Sequence, residues 1–373
     1  MKPGHDGLGE LVRERAARGP ISFSDYMELA LYHPDLGYYT RAPRSGWEGH
    51  YVTSPQLDPA FGELWARGFR LMWELWDRPR RFEVIEIGAG EGGFAAAVLR
   101  ATPEEFAAAL RYVIVEPIAA LRTRQRQHLE GAPIEWVENL GDLSPIEIGC
   151  LFANEVLDNV PVDLVRRTRS DLVEVRVEAD HTGLTFTEVP LSGALRKSYA
   201  RLQRSLPPGH TTEARSRDAQ LIKDAVAALQ AGALIFVDYG HEERDLLSLP
   251  NGTLMCYSEA GVDDRPLERP GTKDITAHVN WTALRRACKR QGLHVEGPLE
   301  QQRVLTALGL DTLLMAARAS RETAVAAGEG LSAVRALSRH QALTALADPG
   351  GLGRLDVFAA FKGVAVPPFL AGE

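Results

Sequence analysis

The chain has 373 residues, 45% hydrophobic and 25% charged; at roughly 150 residues per domain that is two to three domains' worth of sequence, or one large domain with insertions. The composition excludes disordered, collagen-like and disulfide-scaffold classes. A formal charge of -8, from 42 Lys+Arg against 50 Asp+Glu, argues against a protein that wraps nucleic acid over a broad surface.

In chain order, MKPGHDGLGE has no apolar core of a signal peptide, and Glu10 and Glu14 interrupt the arginines at 13, 15 and 18. No run reaches the roughly 18 apolar residues of a membrane span, so a cytoplasmic location with no membrane partner is expected. Residues 1–80 read as a helical N-terminal cap. Ser22 followed by Asp25 has the form of a capping box before YMELALY. Phe61, Leu64, Trp65, Met72, Leu75 and Trp76 repeat at helical spacing and predict one wide buried face.

From residue 81 to 373 the pattern becomes short apolar runs alternating with helical segments, the mark of βαβ units and a mostly parallel sheet. VIEIG, YVIVE, IEWVEN, CLFANE and ALIFVDYG are the strand runs, and GGFAAAVLR reads as helix. TPEE predicts a helix with Thr102 as cap and Pro103 in its first turn. Two insertions are expected, at about 162–215 and about 250–280. The first carries VDLVRRT, LVEVRVE and LTFTEV, which alternate as antiparallel strands. Residues 320–347 read as helical and LDVFAAFKG as a closing strand. Cys150, Cys256 and Cys288 are far apart and lack zinc-like spacing, so they read as reduced structural residues and no metal site is expected.

Four strand runs end in an acidic or amide group: Glu86, Glu116, the pair Asn154 and Glu155, and Asp238. In an open α/β sheet the ligand lies beyond the carboxyl ends of the strands, so these groups should converge on one crevice. Each taken singly could equally be a turn or helix-start acid. GAGEGG, Gly88 to Gly93, fits the dinucleotide pattern GxGxxG. Glu86 at its mouth would repel a pyrophosphate but suits the cations of S-adenosylmethionine, which carries no phosphate. The expected cofactor contacts are Glu86, Gly88, Ala89 and Gly90 in the first turn, and Glu116 with Pro117, where Glu116 takes both ribose hydroxyls. Asn139 and Leu140 lie near the adenine, with Asn154 and Glu155 at the fourth strand end.

ISFSDYMELALYHPDLGYY, the TSP at 53–55, EIGAGEG, FANEVLDNVPVD, IFVDYGH and GTLMCYSEAGVDDRPLERPGTKDITAHVNW together resemble the MidA family, the bacterial and mitochondrial relatives of a methyltransferase that assists assembly of respiratory complex I. The likeness runs from about residue 20 to about 310, and DITAHVN is its most specific piece. It implies an α/β fold, the class I methyltransferase Rossmann-like seven-stranded sheet with helical and antiparallel additions, using S-adenosylmethionine. It also implies methylation of an arginine on a protein, a respiratory-complex subunit in the mitochondrial members. From the charge no nucleic-acid partner is expected, and a homodimer is an open arrangement. Thr53, Ser54 and Pro55 join the cofactor set through this resemblance.

Methyl transfer is an in-line displacement, so the protein positions donor and acceptor and controls the acceptor's protonation. A guanidinium stays protonated below a pKa of about 12, and carboxylates hold its planar fork. Glu155 and Asp158 are the expected acceptor-side residues; alternatively they cap the following turn. Asp274 and His278 complete the candidate catalytic set, either with His278 carrying a proton or with the two hydrogen-bonded to each other to anchor a lid. Glu213 faces the substrate or a solvated helix start. His33, Tyr38 and Tyr39 form a lid over the cofactor or plain packing. Other readings are a small-molecule acceptor, a cofactor-stabilised assembly factor, and a dinucleotide oxidoreductase.

Overall fold

The computed structural model describes residues 7–40, 54–181 and 183–372, with the backbone alone of Pro55 and Gln56. Seven strands form one sheet: β1 (Phe82–Ile87), β2 (Leu110–Val115), β3 (Ile134–Val137), β4 (Ile146–Asn154), β5 (Leu229–Asp238), β6 (His294–Glu300) and β7 (Asp356–Lys362). Their spatial order is 3-2-1-4-5-7-6. Pairings among β1 to β5 are parallel, and β7 runs antiparallel to both its neighbours. This is the seven-stranded α/β architecture that the sequence implied.

The helices that position the site are α1 (Gly7–Ala16), α2 (Phe23–Tyr32), α3 (Ala60–Leu75), α4 (Gly93–Ala101), α5 (Ala119–His128), α6 (Ser216–Ala228), α7 (Trp281–Arg290), α8 (Leu310–Ala326) and α9 (Gly330–Ala347). Strands covered on both faces read as continuous apolar runs, and every residue of β1 is buried. Val84, Ile114, Cys150 and Phe152 pack with α3, α4, α8 and α9 on one face. Ile85, Val113, Leu151 and Phe236 pack with α6 and α7 on the other.

In α3, Phe61, Leu64, Trp65 and Met72 are buried as their spacing predicts. Leu75 is 41% exposed, contrary to expectation. The helix ends there, and Trp76 takes the last place in the stripe, its indole N–H donating to Ala365 O at 2.9 Å. A Cβ on Gly62 would sit 2.5 Å from Ala97 Cβ, so the close packing of α3 on α4 requires glycine there.

The capping expectations divide. Ser22 caps α2, its hydroxyl accepting the N–H of Asp25 at 3.1 Å. Thr102 does not cap the helix after it. Its hydroxyl donates back to Val98 O at 2.8 Å and closes α4, while Pro103, extended, leads into Glu104–Ala107.

The first insertion is antiparallel as expected. Asp163–Arg167, Leu172–Asp180, Gly183–Pro190 and Thr211–Ala214 form a second sheet that takes in Ile21–Ser22. Against it pack Leu8, Val12, Phe23, Tyr26 and Met27 of α1 and α2, together with Cys256 and Ile275 from a small three-stranded sheet in the second insertion. The three cysteines are buried free thiols. Among the described residues no helix is long and apolar enough to cross a membrane, and no cluster of three or more His, Cys, Asp or Glu side chains is placed to hold a metal.

Candidate functional site

The carboxyl ends of the central strands are in register. Ile87 lies opposite Val115 and Ala153, Val115 opposite Val137, and Asn154 opposite Val237. The turns that follow therefore gather at one edge, around the β1–β4 pair where the strand order reverses. A cavity of about 1100 Å³ opens there, just above the roughly 300–1,000 Å³ usual for ligand pockets. Glu86, Gly88, Ala89, Gly90, Glu116, Pro117, Asn139, Leu140, Asn154, Glu155, Asp158, Asp274 and His278 all line it. Ser54 does not; it is buried behind, its hydroxyl accepting Gln301 Nε2 at 3.2 Å. Thr53 and the side chain of Pro55 lie outside the described residues.

One end of the cavity is built on the glycine turn. Gly88, Gly90 and Gly92 have φ of +69°, +54° and +87°, the left-handed region that other residues resist. A Cβ on Gly88 would lie 2.8 Å from Val156 Cγ2, and one on Gly92 would lie 2.8 Å from Leu129 Cδ1. At Gly90 no atom of the described residues stands within 4 Å of an added Cβ, and this open backbone lines the cavity.

Glu86 accepts the hydroxyl of Tyr112 at 2.7 Å. Burial pushes its carboxyl up to about 7, with the Tyr112 bond opposing and Glu116 adding to the rise. Glu116 is oriented by Ile118 N–H on Oε1 (3.0 Å) and Gln125 Nε2 on Oε2 (3.2 Å). Burial raises it to about 7 despite those bonds, and each oxygen keeps a lone pair for a further donor. Asn139 turns toward Asp142, donating from Nδ2 at 3.2 Å. Asn154 Nδ2 donates to Glu155 Oε1 at 3.0 Å, while its buried Oδ1 has no partner among the described residues. Two carboxylates, a free amide oxygen and an open glycine turn make an acceptor-rich cradle. It fits a cationic, hydroxyl-bearing nucleoside such as S-adenosylmethionine.

The other end of the cavity is acidic and aromatic. Glu155 adopts φ +51°, strain of the kind that collects at functional turns, held by its N–H bond to Val237 O at 2.8 Å. Burial, then Asp238, pushes its carboxyl up to about 8, against bonds from the Asn154 side chain and the Ser54 backbone. Asp158 is pushed well up, first by burial and then by Asp238, Asp274 and Glu155; among the described residues its Oδ1 has no partner.

Asp238 was expected in the crevice and is not there. Its Oδ2 accepts the N–H groups of Val156 (3.1 Å), Leu157 (2.8 Å) and Asp158 (3.2 Å), and its Oδ1 accepts that of Tyr239 (2.8 Å). Asp238 therefore holds the turn after β4, and this leaves Glu155 and Asp158 facing the cavity. The buried guanidinium of Arg215 braces the same turn through Leu157 O and reaches Ala277 O (3.0 Å) and Asp218 (2.7 Å).

Asp274 Oδ1 accepts Asn159 Nδ2 at 2.9 Å and Tyr39 OH at 3.0 Å. His278 instead places Nδ1 3.0 Å from His241 Nε2, so the expected Asp274–His278 hydrogen bond does not form. Nor does His278 titrate near neutrality: burial first, then His241, Arg354 and Arg215, pushes it down to about 4. Glu213 is spent on Thr253, accepting its N–H at 2.6 Å, and lies outside the cavity. His33 accepts the N–H groups of Asp35 and Leu36 in a local turn. Tyr38 is core, while Tyr39 lines the cavity.

The residues that sequence reasoning missed are mostly aromatic. Tyr32, Tyr239 and Tyr257 join Tyr39 around the acids. Tyr32 stacks on Tyr39 at 5.7 Å and donates to Asn159 O at 2.9 Å. Arg124 ties the glycine turn to the N-terminal segment through Glu91 (3.1 Å) and Tyr39 O (3.4 Å). Tyr239 directly follows the run IFVD, a position at a strand end that could have been read as pocket-lining.

Residues 64–299 match the model of a family of S-adenosyl-L-methionine-dependent methyltransferases. The chain is similar to Protein arginine methyltransferase NDUFAF7, mitochondrial, of Rattus norvegicus, 26% identical over 343 residues covering 82% of this chain and 75% of the relative. It is likewise similar to the NDUFAF7 homolog of Drosophila melanogaster, 27% identical over 401 residues covering 97% and 86%. A crystal structure of a Burkholderia thailandensis protein bound to S-adenosyl-homocysteine superposes with a TM-score of 0.85 at 29% identity, covering 99% of this chain and 97% of that one. A native crystal structure from the same organism gives 0.81 at 29% identity, covering 100% and 98%.

Proposed function

The chain belongs to this family of S-adenosyl-L-methionine-dependent methyltransferases, and from that premise we propose that it methylates an arginine side chain on a protein. The carrying observation is the acidic end of the cavity: Glu155, Asp158 and Asp274 converge within a ring of Tyr32, Tyr39, Tyr239 and Tyr257. Carboxylates beside aromatic faces suit a planar delocalised cation. The relatives' name, protein arginine methyltransferase, supports the same acceptor.

The cofactor supplies a methyl group on a cationic sulfur. In this reading Glu86 and Asn154 Oδ1 hold its charged portion, Glu116 its ribose hydroxyls, and the turn at Asn139 and Leu140 its base. Asp158, with an unpartnered oxygen, and Glu155, fixed by Asn154, grip the guanidinium fork and aim one nitrogen toward the methyl. Raised carboxyl pKa values prepare these acids to take up the proton which that nitrogen must lose. The tyrosine ring keeps water from the acids and strengthens their hold.

The test is labelled S-adenosylmethionine added with the protein to an extract of cells lacking its gene, followed by mass spectrometry for methylarginine. Respiratory-complex subunits are the first proteins to inspect. Label on a protein arginine supports the reading. Label found only on small molecules favours a small-molecule acceptor. A catalytically silent Asp158→Asn protein that still complements the deletion favours an assembly factor.

A further inference from the structure

Two imidazoles meet in the wall of the acceptor end. His278 lines the cavity, and its Nδ1 lies 3.0 Å from Nε2 of His241, the rings 5.1 Å apart and tilted by 33°. His241 lies behind it, outside the cavity lining and partly exposed. The backbone fixes this pair. Gly240–His241 runs parallel to Val279–Asn280, Val279 N–H donates to Tyr239 O at 2.8 Å, and His278 N–H donates to Thr253 Oγ1 at 2.9 Å. A Cβ on Gly240 would fall 2.2 Å from Trp281 Nε1, so the strand carrying His241 is seated directly against that indole.

A nitrogen-to-nitrogen bond between imidazoles needs one N–H and one bare nitrogen, so at least one ring is neutral. His278 Nε2 has no hydrogen-bond partner among the described residues. The groups facing the pair favour passage of a proton over its storage. Burial first, then His241, Arg354 and Arg215, holds the His278 ring down to about 4. Tyr239 stacks on it at 6.0 Å. On the far side Glu242 is occupied by Arg285 at 2.8 Å.

Each methyl transferred to a guanidinium releases one proton. The N–C bond forms, the C–S bond breaks with its electron pair left on sulfur, and the nitrogen loses an N–H proton. If that proton stays on Glu155 or Asp158, the acid is neutral and holds the next guanidinium poorly. A protein acceptor seated in the mouth also blocks the direct way out. We propose that His278 and His241 form a two-imidazole relay that carries the released proton from the cavity to solvent. The proton adds to His278 Nε2, the Nδ1 proton of His278 passes to His241 Nε2, and His241 gives its Nδ1 proton to water. The relay rests on the methyl-transfer reading above and adds a positioning and exit role for His241.

The experiment pairs two readouts. Long-range 1H–15N spectra of the imidazoles in the intact protein should show one N–H shared between the two rings, lost in His241→Asn. The same variant should incorporate labelled methyl into the gene-deleted extract about a hundredfold more slowly at pH 7, the lower end of what positioned proton-transfer groups contribute. Calorimetric affinity for S-adenosylmethionine should stay within about twofold, and added imidazole or higher pH should restore part of the rate. Thermal unfolding of His241→Asn and His241→Gln checks that both variants fold. A variant with the wild-type rate and pH profile overturns the relay, as does a rate loss that neither imidazole nor pH relieves. Two rings with no shared proton overturn it regardless of rate. If the wild-type protein labels nothing while the shared proton is present, the methyl-transfer reading has failed, and the relay fails with it.

Discussion

Asp238 Oδ2 accepts the backbone N–H of Leu157 at 2.8 Å, tying the end of β5 to the turn that follows β4. Together with the bonds from Val156, Asp158 and Tyr239 it satisfies four backbone donors with one buried carboxylate. Asp238→Ala leaves these donors without an acceptor, and each buried unsatisfied group costs about 1–3 kcal/mol. Urea unfolding should show a loss of at least about 4 kcal/mol. Methyl transfer should fall further than cofactor affinity, because the released turn carries Glu155 and Asp158, not the glycine loop.

Gly90 separates folding from cofactor binding. A Cβ there meets nothing within 4 Å, so Gly90→Val should fold, with a left-handed backbone penalty of about 1–2 kcal/mol in thermal or urea unfolding. The valine enters the cavity beside the open backbone. Calorimetry should find no S-adenosylmethionine binding in the variant, while its far-ultraviolet circular dichroism matches wild type.

Six of the seven strands and the glycine turn were legible because strands covered on both faces must be continuously apolar, and the polar residues ending them stand out; β6, HVEGPLE and only partly buried, carries no such run. The role of Asp238 was not legible. A strand-end acid that grips backbone N–H groups looks the same in sequence as one that faces ligand, and only the register of β4 against β5 separates them. Glu213 was opaque for the same reason, its partner Thr253 lying 40 residues away. The tyrosine ring is drawn from α2 and the 3-10 turn after it, the end of β5 and the small sheet of the second insertion, and no local spacing connects these segments. His241 closes the run IFVDYGH, but nothing in that run pairs it with His278, 37 residues away.

The buried acids predict a proton count. Glu86 and Glu116 are each pushed up to about 7 and Glu155 to about 8, burial being the largest cause in all three. In the unfolded chain these carboxyls titrate near 4.3. Between about pH 4 and pH 8 the folded protein without cofactor therefore holds more protons than the unfolded chain. The stability these groups contribute is complete below pH 4 and is lost as pH rises through 7 to 8. A cationic ligand favours their ionised forms, so binding S-adenosylmethionine at pH 7 should release protons. Calorimetry in two buffers of different ionisation heat measures the number, and Glu86→Gln should lower it.

Tyr39 tests whether the N-terminal segment takes part in acceptor handling. Its hydroxyl lies 2.9 Å from Asn159 Oδ1 and 3.0 Å from Asp274 Oδ1, within reach of an acid that lines the cavity, while its ring stacks on Tyr32. Tyr39→Phe keeps the stack and removes the hydroxyl, at a stability cost of about 1 kcal/mol. If the hydroxyl orients Asp274 toward the acceptor, losing about 1 kcal/mol in the transition state slows methyl incorporation roughly fivefold with no change in cofactor affinity. Tyr32→Phe is the matched control. Among the described residues its hydroxyl reaches only the main-chain oxygen of Asn159, so the variant should show a similar stability cost while keeping most of its rate. Equal rate losses in the two variants would assign the segment a packing role alone.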